Sequence, residues 1–277
     1  MKIGITSYYL DRYGLDAGMA RMRAHGYESL DYGGMISTDA PLFSGAEAEF
    51  AAQLTTVRRA AEQNGITIFQ AHGPWRFPMQ DATPEDRAER FEKMAKSIRG
   101  CAILGCPHMV IHRIMPFGKC DLGNAQTIEI SRDFAQKLAD VGREYGIVVC
   151  LENMPFRNQE LSTPKALAAF VREIDHPNLK MCLDTGHVNV FRISCADAVR
   201  QIGKDLLRVL HIHDNDGTMD QHRTPENGTI AWKPFVQALS EIGYTGPFSL
   251  ECNLPLQADE ATELALAQTT RRIADAV

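Results

Sequence analysis

The chain contains no C-x-x-C pair, and its seven cysteines (Cys101, Cys106, Cys120, Cys150, Cys182, Cys195 and Cys252) are odd in number. A disulfide framework or a cysteine-rich zinc site is not built that way, so they read as reduced thiols in a reducing compartment. No apolar run approaches the roughly 18 residues of a membrane span. The opening residues, MKIGITSYYL, alternate like a strand and lack the apolar centre and cleavage site of a secretion signal. A cytoplasmic protein without a membrane partner is expected, and the Asn227-Gly-Thr229 sequon then carries no meaning. Neither a G-x-G-x-x-G turn nor a P-loop occurs, which removes the usual marks of a nucleotide-binding doubly wound sheet. A basic excess is missing too: 29 Lys and Arg stand against 35 Asp and Glu, a net charge of −6. Non-specific nucleic-acid affinity comes from neutralising phosphates, so nucleic acid is not an expected partner.

What remains is an ordinary globular composition, 44% hydrophobic and 23% charged over 277 residues, enough to bury a large core without staples. No linker or low-complexity segment divides it, and residues 1–277 read as one domain. Short apolar runs at Lys2–Tyr8, Ser29–Tyr32, Thr67–His72, His108–His112, Ile147–Glu152, Leu179–Asp184, Arg208–His213 and Phe248–Glu251 have strand character. Amphipathic stretches near 15–25, 47–64, 84–104, 124–145, 164–174, 195–203, 233–242 and 259–276 alternate with them. Thr83-Pro84-Glu85-Asp86 offers a capping residue, Pro in the first turn and acids beside the helix dipole. Ser162-Thr163-Pro164 and Trp232-Lys233-Pro234 repeat the proline signal, and Gly65, Gly105, Gly146 and Gly243 fall where helices should stop. Eight strand–helix units predict the α/β class and a single (β/α)8 TIM barrel.

Six strands end in a side chain able to bind a metal: His72, His112, Glu152, Asp184, His213 and Glu251. Barrel enzymes keep their active sites at the carboxyl ends of the strands, so the six converge on one face. Any one of them can be a loop anchor. Six carboxylates and imidazoles crowded together repel or stay poorly solvated unless a cation joins them. Two residues earlier on each strand lie Gln70, Val110, Cys150, Cys182, His211 and Ser249, facing the same interior. Val110 and the two cysteines read as packing, whereas His211 and Gln70 can orient ligands by hydrogen bonds. Trp75 is a candidate wall for a sugar ring, and Phe77, Phe117 and Phe156 recur in the following loops. Arg76, Arg113, Lys119, Arg157, Arg192 and Arg223 give that face basic groups despite the acidic total.

The segments Leu151-Glu152-Asn153, Leu183-Asp184-Thr185-Gly186-His187 and His211-Ile212-His213-Asp214-Asn215-Asp216 together resemble the xylose-isomerase-like barrel superfamily. That group holds sugar and sugar-phosphate isomerases, the tagatose/psicose 3-epimerases, and endonuclease IV. The resemblance runs from about Thr67 to Cys252. It implies a metal quartet of Glu152, Asp184, His213 and Glu251, with Glu152 and Glu251 doubling as the acid/base pair and His187 touching substrate. The epimerases carry Arg six residues after the ligand histidine, where this chain has Met219. The trinuclear zinc pattern of endonuclease IV is matched as well, by His72, His112, Glu152, Asp184, His187, His213, Asp220, His222 and Glu251. Beyond Asp220-Gln221-His222, the usual Gly-Glu-Gly is replaced by Pro225-Glu226-Asn227-Gly228.

Three carboxylates and one imidazole suit a hard divalent ion, Mn²⁺ first, with Mg²⁺ or Co²⁺ as alternatives and Zn²⁺ if more histidines join. A divalent-metal-dependent sugar or sugar-phosphate isomerase or epimerase is therefore expected. A zinc phosphodiesterase acting on abasic DNA, a lyase or dehydratase on an oxidised sugar, and a non-catalytic binding barrel stand as alternatives. Trp75 and Arg223 are candidate substrate contacts. The exterior helices leave a homo-oligomer open.

Overall fold

Each strand is apolar on the side that meets helices and mixed on the other, and this difference sets the architecture. The computed structural model describes residues 1–75, 81–255 and 257–276. The strands are β1 (Ile3–Thr6), β2 (Ser29–Tyr32), β3 (Thr67–His72), β4 (His108–Ile111), β5 (Val148–Glu152), β6 (Leu179–Asp184), β7 (Leu207–His211) and β8 (Phe248–Leu250). They pair in parallel, in the order β7-β6-β5-β4-β3-β2-β1-β8. A parallel bridge between Ile212 and Leu250 brings β7 to β8. The result is a (β/α)8 barrel, as the alternation of runs predicts.

The helices are α1 (Tyr8–Tyr13), α2 (Leu15–Ala24), α3 (Pro41–Ser44), α4 (Glu47–Gln63), α5 (Pro84–Leu104), α6 (Ala125–Tyr145), α7 (Pro164–Ile174), α8 (Thr185–Val190), α9 (Cys195–Ile202), α10 (Trp232–Glu241) and α11 (Glu260–Ala274). Thr83 Oγ1 accepts from the Asp86 amide at 3.1 Å and the Asp86 carboxylate accepts from the Thr83 amide at 3.1 Å, a reciprocal cap on α5. Gly105 and Gly146 end α5 and α6 at φ of 69° and 71°, a left-handed turn that costs glycine nothing. The first strand is shorter than its apolar run: it stops at Thr6, and Tyr8 opens α1. No amphipathic period announces α1, α3 or α8, which are too short to hold one.

Ile3, Ile5, Leu30, Met109, Ile111, Val149, Leu151, Met181, Leu183 and Leu210 point outward into the layer shared with the helices. Inside the barrel, Val110, Cys150, Cys182 and Val209 form a separate buried plug with Phe69 and Val148. Val110, Cys150 and Cys182 pack there, as the alternation predicts. All seven cysteines are free. Among the described residues, no helix is long and apolar enough to cross a membrane.

Candidate metal centre

Above the plug, the side chains at the strand ends meet. His72, Glu152 and Asp184 are the last residues of their strands; His112 and Glu251 lie one residue beyond, and His213 two. Asp184 also caps α8, its Oδ1 accepting from the His187 amide at 2.6 Å, while its Oδ2 lies 2.9 Å from His213 Nε2. Asn153 secures this corner: its Oδ1 accepts from the Asp184 amide at 2.9 Å, and its Nδ2 donates to the Asp184 carbonyl at 3.1 Å. Asp214 organises the following loop, accepting from the amides of Asn215, Glu226 and Ile230 and from Trp232 Nε1. That loop delivers Asp220 and His222.

Glu152 is the hub and is buried. Its Oε2 lies 3.1 Å from His112 Nε2 and 3.5 Å from His72 Nε2. Its Oε1 lies 3.0 Å from His211 Nδ1 and 3.6 Å from His187 Nδ1. His211 Nδ1 is also 3.0 Å from Glu251 Oε2. On the far side of Asp184, Asp220 Oδ2 lies 3.2 Å from both His187 Nε2 and His222 Nε2. His222 stacks on His213 at 3.9 Å. Two mutually close sets of ligand atoms stand out: Glu152, Asp184, His211 and Glu251, and beside it His187, His213, Asp220 and His222. The quartet implied by the resemblance thus straddles both, with Asp184 as the joint between them and His211 closer than His213 to the two glutamates.

The anchoring of the histidine rings bears on what this space can hold. His72, His187 and His222 each donate Nδ1–H to a backbone carbonyl, of Gly73, Asn153 and Glu251, at 2.8, 2.7 and 2.7 Å. A carbonyl only accepts, so in the neutral ring each Nε2 carries a lone pair. Those lone pairs face the centre, where the neighbours are carboxylates and, for His72, His112 Nε2 at 3.2 Å. Lone pair against lone pair repels unless a cation lies between, and anchoring the outer ring nitrogen is how proteins orient histidine ligands. The donor set fits a divalent ion.

Charge follows the same logic. Burial alone would raise the Glu152 carboxyl, but His211 and His112 hold it well below the usual range. Glu251 is brought down to about 2 against the same burial, first by His211. Burial opposes charging His187 and His222, yet Asp184 and Asp220 lift the first to about 10, and Asp220 and Glu251 the second to about 9. His112, most affected by burial, falls to about 4. A site this rich in carboxylate holds protons on its imidazoles wherever no other cation is supplied.

Beneath the centre, Gln70 Nε2 donates to Asp31 Oδ2 at 3.0 Å and to the Leu210 carbonyl at 3.2 Å. His211 Nε2 lies 3.0 Å from the same Asp31 oxygen. Gln70 and His211 therefore occupy the supporting layer, with Asp31 as a third member that the strand ends did not flag. In β2 the alternation that turns Leu30 outward to the helices turns Asp31 inward. Trp75 packs against the His112 ring, centroids 4.4 Å apart. Arg223 is bound to Asp216 at 3.1 Å and to the Asn227 carbonyl at 3.2 Å. Arg113 is not a free positive group on this face: it is buried against Asp121 at 2.7 Å, because the loop after β4 folds over it. Arg157 donates to the Val190 carbonyl, Lys119 lies over Phe156, and Phe117 and Arg192 are exposed. Arg76 and Phe77 lie outside the described residues.

The architecture is that of a (β/α)8 barrel with a metal-competent carboxylate–imidazole mouth. The chain belongs to the xylose isomerase-like TIM barrel family, whose model matches residues 19–269. It is 29% identical over 213 residues to a D-psicose 3-epimerase of Agrobacterium fabrum, covering 72% of this chain and 69% of that enzyme. A ketose 3-epimerase of Arthrobacter globiformis is 24% identical over 265 residues, covering 91% of this chain and 83% of the relative. The solved D-psicose 3-epimerase with D-tagatose from Clostridium cellulolyticum H10 has the same fold, with a TM-score of 0.79 at 21% identity over 99% of this chain and 98% of that one.

Proposed function

We propose that the chain, folded as one domain over 1–277, is a divalent-metal-dependent sugar epimerase or isomerase that moves a proton at the carbon next to a carbonyl. The observation that carries this reading is the set of carbonyl-anchored histidines whose Nε2 atoms turn toward the carboxylates of Glu152 and Asp220. Glu152, Asp184, His213 and Glu251 would hold the ion, with manganese favoured by the oxygen-rich set. When bound, the ion polarises the sugar carbonyl and its neighbouring hydroxyl and so acidifies the adjacent C–H. Glu251, held ionised and with its side chain 21% exposed, would take that proton, and Glu152, protonated for that step, would return one from the other face, the pair exchanging protons with solvent between turnovers. His211, 3.0 Å from both carboxylates, fixes their separation. Trp75, packed on the His112 ring, would wall one side of the sugar ring. Support comes also from the family relatives, which are sugar 3-epimerases.

The test is deuterium exchange from D₂O into a free ketose by the manganese-loaded protein, followed by NMR, with metal counted per chain. Exchange at one carbon with a new epimer or aldose is the expected result; none with any ketose overturns the reading. The second cluster, His187, His213, Asp220 and His222, favours one further reading, a multinuclear zinc phosphodiesterase. Three ions per chain and zinc-dependent nicking of an abasic duplex would establish it.

A further inference from the structure

The mouth does not end at the metal centre. A cleft of about 420 Å³ opens alongside Asp220, between the loops that follow β5, β6 and β7, within the size range of small-molecule sites. Pro155 and Phe156, three and four residues beyond Glu152, line it together with Met219, which is 61% exposed. Asn158 and Thr218 supply polar groups at its edge. Among the described residues, two cations line it. Lys119 Nζ lies 5.1 Å from the Phe156 ring centre, and Arg157 donates to the Val190 carbonyl while covering Phe191 at 5.9 Å. The apolar surfaces of Pro155, Phe156 and Met219, beside the polar groups of Asn158 and Thr218, suit a neutral ring that has a C–H face and a rim of hydroxyls.

We propose that this cleft is a second-ring subsite, so that the substrate is a glycosylated keto-sugar. Its reacting ring lies at the Glu152 and Glu251 carboxylates, and its outer sugar ring packs against Phe156 and Met219 in the cleft. The inference rests on the epimerase reading of the centre and adds the substrate class. Continuity decides the occupant: the cleft shares Asp220 with the His187 and His222 cluster, so a ligand seated at the ion extends into it directly.

The experiment uses the manganese-loaded full chain with D-fructose and with two disaccharides ending in a reducing ketose, lactulose and isomaltulose. Deuterium exchange and calorimetric binding are both measured, for the natural chain, Phe156→Ala and Phe156→Tyr. A disaccharide preferred over fructose by about tenfold or more in kcat/KM is expected, the worth of one good stacking contact. Phe156→Ala collapses that ratio to near unity, mainly through KM, and Phe156→Tyr restores it. Exchange with no preference, or a preference that survives Phe156→Ala, overturns the subsite and leaves the epimerase reading standing. Disaccharide-selective binding without exchange keeps the subsite and overturns that reading. Absence of both overturns the two together. A shift of Phe156→Ala from dimer to monomer in sedimentation, with the sugar preference unchanged, assigns the cleft to a second copy and overturns the proposal.

Discussion

The two ends of one barrel interior are built on the same strands and behave oppositely. At the floor, Val110, Cys150, Cys182 and Val209 are buried and pack on one another and on Phe69 and Val148. Two residues further along the same strands, His112, Glu152, Asp184 and His211 are equally buried, yet are polar and mutually dependent. Burying apolar groups stabilises at roughly 25 cal/mol per Å², whereas burying a charge costs several kcal/mol unless it is paired. The floor therefore contributes stability, and the mouth draws on that stability to hold groups that water would otherwise solvate. The difference lies in the one-step advance along each strand, where the residues change from packing to ligation.

Glu251→Gln should separate the two ends most strongly. It removes the acid/base group while keeping the shape, so exchange activity falls by about 10²–10⁴-fold. The melting temperature falls by a few degrees at most, since glutamine keeps the shape and His211 keeps Glu152 beside it at 3.0 Å. Deuterium exchange and thermal melting on the same sample decide it, and full turnover would end the assignment. Next comes Gly186→Ala, where an added Cβ would overlap the buried His213 ring. Metal affinity should drop by about 10–100-fold, read by titration with a competing chelator. Val209→Ala on the floor should do the reverse. It costs about 2 kcal/mol, or about 4–8 °C, with turnover per folded molecule unchanged. A change in kcat there would show that the floor is more than a plug.

Much of this contrast was legible before the fold, because a barrel repeats one rule eight times. Strand ends recur at each unit, so His72, His112, Glu152, Asp184, His213 and Glu251 declare a common face. The alternation of two places Val110, Cys150 and Cys182 beneath them. Asp31 escaped notice because β2 carries its acid one residue before the strand end, in the supporting layer rather than the mouth. Which imidazole stands nearest the glutamates was also hidden. His211 and His213 share one strand direction, and the choice depends on the loop that Asp214 folds. Arg113 misled because a basic residue after a strand looks the same whether it faces solvent or, as here, seals itself against Asp121.

Glu263 provides a third case against which to judge the mouth, since it is a buried carboxylate that needs no metal. Its side chain is fully covered, and Tyr13 Oη and Arg21 Nε donate to it at 2.8 Å and Tyr8 Oη at 3.1 Å. This ties α11 to α1 and α2. Burial pushes its carboxyl up, but Arg21, Tyr13 and Tyr8 bring it below the ordinary value. A depressed folded pKa contributes stability that is present above the unfolded carboxyl pKa of about 4.3 and lost as pH falls through the folded one. Glu263→Gln should therefore cost about 1–2 kcal/mol at neutral pH, a loss of a few degrees, with metal content and exchange activity unaltered. The gap between the two melting curves should close as the pH drops below about 4, because protonated Glu263 and glutamine then make the same contacts. A gap that persists at low pH would mean that the glutamine disturbs packing rather than charge. Loss of metal from this variant would mean that the mouth and the α1–α2–α11 corner are not independent.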